Sequence, residues 1–296
     1  MANLKEVRER IGSVKNTQQI TSAMKMVSAA KMSRAAQAIQ EMRPYALKLN
    51  DMLTNILSNL EGGASTSFNQ VRPVNKACLV VVTSSRGLAG AFNTNVVKAA
   101  IQVLENDLQG VPVTEVICIG KKGGEYFTRN YGNREDIIVN RDYQELFQDL
   151  SFDNTKEVPE MIMDRFAAGE YDSVHVAYAR FKNAAVQFAE AVQLLPVVDL
   201  SEEAETTVNA DYIFEPGKEE LLEELVPTIL KTRFQSFLLD TNASEHGARM
   251  TAMDKATENA SELLKDLKIA YNKARQEAIT TEILEIVSGA AALEDG

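Results

Sequence analysis

The chain has 296 residues, 45% of them hydrophobic and 25% charged, with a formal net charge of −11. This is the composition of a soluble globular protein, and no apolar run approaches the roughly 20 residues a helical membrane span takes. Two cysteines, Cys78 and Cys118, are too few and too widely spaced for a disulfide framework or a zinc site. Each sits in an apolar run and reads as a small buried hydrophobe. The opening Met1–Glu6 has neither the apolar core of a signal peptide nor the Arg/Ser-rich, acid-free character of a transit peptide. The expectation is a protein made and kept in the cytoplasm.

The charge is unevenly spread. Residues 1–58 carry nine Lys+Arg against four Asp+Glu, a net of +5. Residues 59–200 carry thirteen against eighteen, a net of −5, and residues 201–296 nine against twenty, a net of −11. A basic arm on an acidic protein reads either as a solvated helix face or as a surface for an acidic partner. On charge alone, nucleic acid and an acidic protein surface both qualify.

The first segment, residues 1–59, holds one Pro (Pro44) and one Gly (Gly12) among good helix formers. Leu4, Val7, Ile11 and Val14 open on a 3-4 spacing, which then meets Gln18 and Thr21; Ile20, Met24 and Val27 offer a shifted stripe. The reading is one long helix, bent at Pro44. Some 55 residues at 1.5 Å each make a rod of roughly 80 Å, too long for a compact domain and expected to pair with a second long helix.

A linker at 60–75, glycine- and serine-rich over Gly62–Ser67, leads into a different pattern over 76–200. Cys78–Val82 is a β-branched run, Asn93–Asp107 an amphipathic helix and Val113–Ile119 a second strand. Gly123–Tyr131 and Lys156–Ala168 read as helices. Ser173–Phe181 and Val186–Leu195 read as strands joined by a Lys182-Asn183-Ala184 turn. Alternating strands and helices imply an α/β layer with parallel pairing, closed by a hairpin.

An acidic linker at 201–215 follows. The third segment, 216–296, opens on Pro216-Gly217 with Glu219 and Glu220, acids at the positive end of a helix dipole. Pro227 predicts an early break. Beyond it the chain reads as helix, rich in small residues over Asn242–Arg249 and at Ala252, Ala256, Ala260 and Ser261, where two helices could approach closely. It ends in an apolar stripe at Ile279, Ile283, Ile286 and Ala290. The fold class is therefore α/β: two long terminal helices in an antiparallel coiled coil, bracketing a Rossmann-like α/β domain.

Candidate chemistry is thin. Thr83–Asn93 lies between a strand and a helix, where a phosphate loop belongs, but Gly87 and Gly90 fit neither phosphate-loop spacing. The competing reading is a tight turn with an exposed Arg86. His175 reads as a packed core residue, and His246 with adjacent Glu245 forms no facing pair. Glu282 and Glu285 are helix neighbours that could do acid–base work; on a slender helix with no cleft, a solvated or partner-facing role is the stronger reading. No catalytic centre, cofactor or metal site is expected.

Four stretches carry a resemblance: Ile11–Thr21 with Ala23–Val27 and Ala30–Met32; Tyr271–Thr280 with Thr281–Ala291; Ala243–Met253; and Ser85–Gly90. In their order along the chain they resemble F-type ATP synthase gamma subunits over its whole length. The resemblance implies a non-catalytic rotor shaft. Its terminal helices stand inside a ring of three alpha and three beta subunits, and its α/β foot rests with epsilon on the membrane c-ring, driven by proton flow. Membrane contact is then only through the c-ring, at the cytoplasmic face of the bacterial cell membrane, with no nucleic acid partner.

Residue by residue, the resemblance makes Arg275 and Gln276 hydrogen-bonding partners of a beta-subunit loop, and Thr280 and Glu282 positions that tune coupling. Met24 lies near the beta lever, and Arg86 approaches the beta subunits or the foot interface. Ile279, Ile283, Ile286 and Ala290 form an apolar bearing tip. On this reading the small residues keep the shaft thin, and the polar Gln18 and Thr21 loosen its packing. The alternatives are a nucleotide-binding α/β enzyme with helical dimerisation arms, which predicts nucleotide affinity, and a passive coiled-coil scaffold.

Overall fold

A computed structural model describes residues 4–58, 67–197 and 218–294. Most of the 60–75 linker's glycine- and serine-rich stretch, the 201–215 linker and the Pro216-Gly217 helix start lie outside the described residues. The chain falls into two compact units: one built from residues up to Val27 and from Met250 onward, the other from Ser28–Arg249.

The terminal segments are continuous helices, α1 (Leu4–Ser58) and α6 (Lys218–Glu294), and the expected break at Pro227 does not occur. A proline inside a helix strands the carbonyl four residues earlier. For Pro44 and Pro227 those carbonyls belong to Gln40 and Glu223, both exposed residues whose freed acceptor water can take. The stripe Leu222, Val226, Leu230 and Phe234 is buried on both sides of Pro227 and ties the helix down.

In the larger unit, five strands form one sheet in the order β3-β2-β1-β4-β5. They are β1 (Lys76–Val82), β2 (Val113–Ile119), β3 (Ile137–Asn140), β4 (Ser173–Phe181) and β5 (Gln187–Leu195). The first four pair in parallel and β4–β5 is an antiparallel hairpin. Helices α2 (Phe92–Glu105), α3 (Lys121–Tyr131), α4 (Phe152–Thr155) and α5 (Glu157–Ala167) complete it.

The near-continuous burial of β1 is what a central parallel strand covered on both faces requires. Its Leu79 and Val81 pack with Val96, Ala100 and Phe127 of α2 and α3. Its Cys78, Val80 and Val82 pack on the opposite face with Ile162 and Phe166 of α5, Phe234 and Leu238 of α6, and Leu53 and Ile56 of α1. Both cysteines are buried thiols, with Cys118 pushed up to about 12 chiefly by burial. His175 is buried, its Nε2 3.0 Å from Ser173 Oγ, and desolvation lowers its pKa.

The small-residue stretch of α6 also serves the sheet. Strand β4 outruns its parallel neighbour β1: their pairing ends at Ala177. On Ala179, Thr241 Oγ1 accepts the backbone N–H at 3.2 Å and Ser244 Oγ donates to the carbonyl at 3.1 Å. At Gly247 an added Cβ would stand 3.3 Å from Ala184 O. Small hydroxyl residues here let a helix satisfy backbone groups that would otherwise be buried and unpaired.

Candidate functional site

The smaller unit is a two-helix seam. Four side-chain pairs cross it: Arg8 Nη2 to Tyr271 Oη at 2.8 Å, Gln18 Nε2 to Ser261 Oγ at 2.6 Å, Thr21 Oγ1 with Thr257 Oγ1 at 2.7 Å, and Lys25 Nζ to Asp254 Oδ1 at 2.5 Å. The partners' numbers add to 278 or 279 in every pair, the signature of antiparallel helices in one fixed register.

Along α1 the seven-residue repeat never breaks. Leu4, Val7, Ile11, Val14, Gln18, Thr21, Lys25 and Ser28 are all buried or half-buried, as are Met32, Ala35, Ile39 and Met42 after them. The facing helix answers with Met250, Met253, Thr257, Ala260, Leu264, Leu267, Tyr271 and Ala274. A strict 3.5-residue spacing of this kind is coiled-coil packing. The shifted stripe expected from sequence is therefore not the seam: Ile20 and Val27 are exposed and Met24 is half-buried. Nor do Gln18 and Thr21 loosen the contact, because each finds a hydrogen-bond partner across it.

The register sets where the pairing stops. Leu4, the first described residue of α1, lies level with 279 − 4 = 275 on α6. From Gln276 onward no described residue of α1 faces the helix, and every residue from Arg275 to Ala290 is exposed. Arg275, Gln276, Thr280 and Glu282 thus share one bare helical end with Ile279, Ile283, Ile286 and Ala290, joined by Leu284 and Val287. Thr280 Oγ1 donates back to Gln276 O at 2.9 Å, a local bond that holds its hydroxyl on the helix.

The apolar face of this end is not the seam prolonged. Continuing the repeat past Ala274 reaches Ala278, Thr281, Glu285 and Ser288. Ile279 and Ile286 each sit one residue past a seam position, about 100° round the helix, and Ile283 two residues past one, so the stripe lies on another face. Met24, by the same register, lies level with residue 255, about 30 Å along the helix from Arg275. Arg86 belongs to the other unit.

In that other unit, Arg86 is exposed on the loop leaving β1. The loop consumes its own polar groups: Ser84 N donates to Asn93 Oδ1 at 2.9 Å, and Ser84 Oγ donates to Arg86 O at 2.6 Å. These bonds within the loop are those of a tight turn. Gly120 is required nearby. Its φ is +88° and a Cβ would lie 2.0 Å from Thr83 O. Leu88 is the one non-glycine described residue at positive φ, +63°, and is exposed; holding a bulky side chain there costs about 1–3 kcal/mol.

Sequence reasoning missed Arg249. It is buried, pairs with Glu245 at 2.7 Å, and reaches the carbonyls of Arg86 and Gly87. The i,i+4 Glu–Arg spacing was visible in sequence, the loop contact was not. Glu282 and Glu285 are exposed on the bare end, with no enclosing cleft there. Among the described residues no cluster has the makings of a metal site, and no helix is long and apolar enough to cross a membrane.

Against known proteins, a family profile described as "ATP synthase" matches residues 3–293. The ATP synthase gamma chain of Cytophaga hutchinsonii is 52% identical over the full length of both chains. That of Flavobacterium psychrophilum is 49% identical over 99% of this chain and all of its own. Among solved structures, a chain of the Euglena gracilis mitochondrial ATP synthase superposes with a TM-score of 0.65 at 20% identity, covering 99% of this chain and 95% of that one. A chain from the central stalk and c-ring of the Tetrahymena thermophila mitochondrial enzyme gives 0.55 at 25% identity, covering 80% of this chain and 99% of its own. With a family profile and a full-length relative at this identity, the chain belongs to the ATP synthase gamma chain family.

Proposed function

We propose that this chain is the central-stalk rotor of a bacterial, proton-translocating F-type ATP synthase, carrying rotation of a c-ring to nucleotide sites on beta subunits. A gamma chain is a non-catalytic subunit of the F1 part, peripheral to the membrane. The observation that carries the mechanism is the bare end of α6: a single helix extends past its partner with an apolar face turned to solvent. An exposed face of that kind marks a surface meant to be covered, and an apolar bearing lets a shaft turn without breaking directional bonds.

On this reading residues 1–59 and 216–296 are the shaft and 76–200 the foot, with linkers at 60–75 and 201–215. Alpha and beta subunits surround the tip, and epsilon and the c-ring meet the foot, at the cytoplasmic face of the cell membrane. Arg275 and Gln276 bond a beta-subunit loop. Arg offers a five-donor fork suited to carboxylates, and by the register Arg275 lies level with Leu4, where the described pairing stops. Thr280, Glu282 and Met24 adjust the coupling, and Arg86 contacts beta or the foot interface. Coupling of this sort needs each beta conformer to meet a different face of the shaft with a different energy.

The test is reconstitution with alpha and beta subunits of the same organism. One copy per three alpha–beta pairs, with ATP hydrolysis that depends on it and weakens on truncation before Arg275, is the expected result. Failure to assemble, with nucleotide bound by the chain alone, would overturn it.

A further inference from the structure

Arg249 has an unusual set of duties for a residue on a long helix. Its Nη2 donates to Arg86 O at 3.2 Å and to Gly87 O at 3.3 Å, while Nε lies 3.4 Å from Gly87 O. Its Nη1 lies 2.7 Å from Glu245 Oε1 and 3.3 Å from His246 Nδ1. The whole side chain is buried.

Each partner fits this role. Glu245, one turn back, is buried too; burial pushes its carboxyl up, and the Arg249 guanidinium opposes that push. His246 is held down to about 4, by burial first and then by the Arg249 and Lys31 charges, so its ring is neutral and Nδ1 can accept. Only a planar five-donor fork can serve a carboxylate, a ring nitrogen and two carbonyls at once.

The loop so gripped carries the strained, exposed Leu88 and the exposed Arg86. A bulky residue at +63° persists only where its surroundings over-determine it. Arg249, Ser84 and Asn93 restrain the loop on either side of it.

We propose that Arg249 is a positioning residue: anchored by Glu245, it latches the Arg86 and Gly87 carbonyls and keeps the loop in the one conformation that presents Arg86 and Leu88 to a partner protein. This rests on the rotor reading only for the partner; the latch itself is a property of the chain alone.

The Arg86–Gly87 peptide bond, whose carbonyl Arg249 and Ser84 both hold, is itself a trypsin site, so its cleavage rate in the isolated full-length chain reports release of the latch. Arg249→Gln should speed cleavage there tenfold or more, Arg249→Lys less, and Glu245→Gln a few-fold, with no change in cleavage at the other sites that the variants share with the unaltered chain. Unchanged cleavage at Arg86–Gly87 overturns the latch, and so does a uniform rise at all sites, which would mean only loss of fold. In the reconstituted enzyme, Arg249→Gln should lower hydrolysis several-fold, and should cost almost nothing further once Arg86→Ala and Leu88→Ala are in place. Full additivity would mean Arg249 acts by direct contact and would sink the positioning role. Failure of even the unaltered chain to assemble would strike the rotor reading and leave the cleavage result standing.

Discussion

Two stretches of α6 make opposite use of the same backbone. From Leu225 to Arg249 no residue is exposed; from Arg275 to Ala290 every residue is. Both stretches carry large apolar side chains, Phe234 and Leu238 in one, Ile283 and Ile286 in the other. What separates them is company. The first lies in a unit with a sheet and α5, and its Thr241 and Ser244 even supply hydrogen bonds to β4. The second has lost its partner helix by register arithmetic alone. An isolated helix of fifteen or so residues is marginal in water. The bare end is helical as the continuation of a paired segment, and its apolar face awaits another surface. Burial in a long helix is therefore a property of neighbours, and comparing the two stretches by mutation separates stability from assembly.

The largest expected effect is in the buried stretch. Phe234 is fully buried in the core shared with β1 and α5. Phe234→Ala should cost about 3–5 kcal/mol, from lost burial plus the cavity left behind, read as a fall in the denaturation midpoint. Ser244→Ala should cost about 1–3 kcal/mol, because it leaves the Ala179 carbonyl buried without its donor. A cost below about 0.5 kcal/mol would show that water reaches that carbonyl.

Next comes a pH effect. Burial is the chief cause that raises the Asp240 carboxyl to about 6; Arg180 opposes it and Glu190 adds to it. The folded state then binds this proton more tightly than the unfolded one. Its contribution is most favourable at about pH 4 and is lost as pH rises through about 6. Asp240→Asn should raise stability by about 1 kcal/mol at pH 8, less than the full shift because the site is partly solvated, and by almost nothing at pH 4. An equal gain at both values would remove titration as the cause.

In the coiled coil the effects shrink further. Thr21→Val alone removes the hydroxyl that Thr257 meets across the seam, leaving Thr257 only its bond to Met253 O, and should cost up to about 1 kcal/mol; adding Thr257→Val should recover part of it. A double substitution that costs the sum of the singles would mean the two hydroxyls are independently solvated.

How much of this was legible follows the same physics. Val113–Ile119 and Ser173–Phe181 were readable to the residue because a strand buried on both faces is a bounded apolar run. Ile137–Asn140 was not, being four residues long with only one of them buried. The seam of α1 was misread because Gln18 and Thr21 looked like breaks in an apolar pattern, and only the facing Ser261 and Thr257 reveal them as paired. Small residues over 242–249 were read for a helix partner alone, and the bond that Ser244 makes to strand β4 was not anticipated. The residues of the bare end were legible through resemblance, and their shared exposure needed the register. Arg249 was illegible as a latch, since its loop lies more than 160 positions away in sequence.

The smallest stability effect belongs to the tip, and it sharpens the comparison most. Ile283→Ala and Ile286→Ala remove side chains that are 55% and 71% exposed in the isolated chain. Little apolar area leaves or enters water when they are truncated, and alanine is the better helix former. The denaturation midpoint should stay within about 0.5 kcal/mol of the unaltered chain, in contrast to several kcal/mol for Phe234→Ala one region away. In the reconstituted complex the order should reverse, because the tip is then covered: the double tip variant should bind alpha–beta subunits more weakly while a stability-neutral change on the outer face of α1, such as Met26→Gln, should not. If the tip variants lowered the midpoint of the isolated chain instead, the bare end would be packed against something within the chain, and its role as a surface for partners would fall.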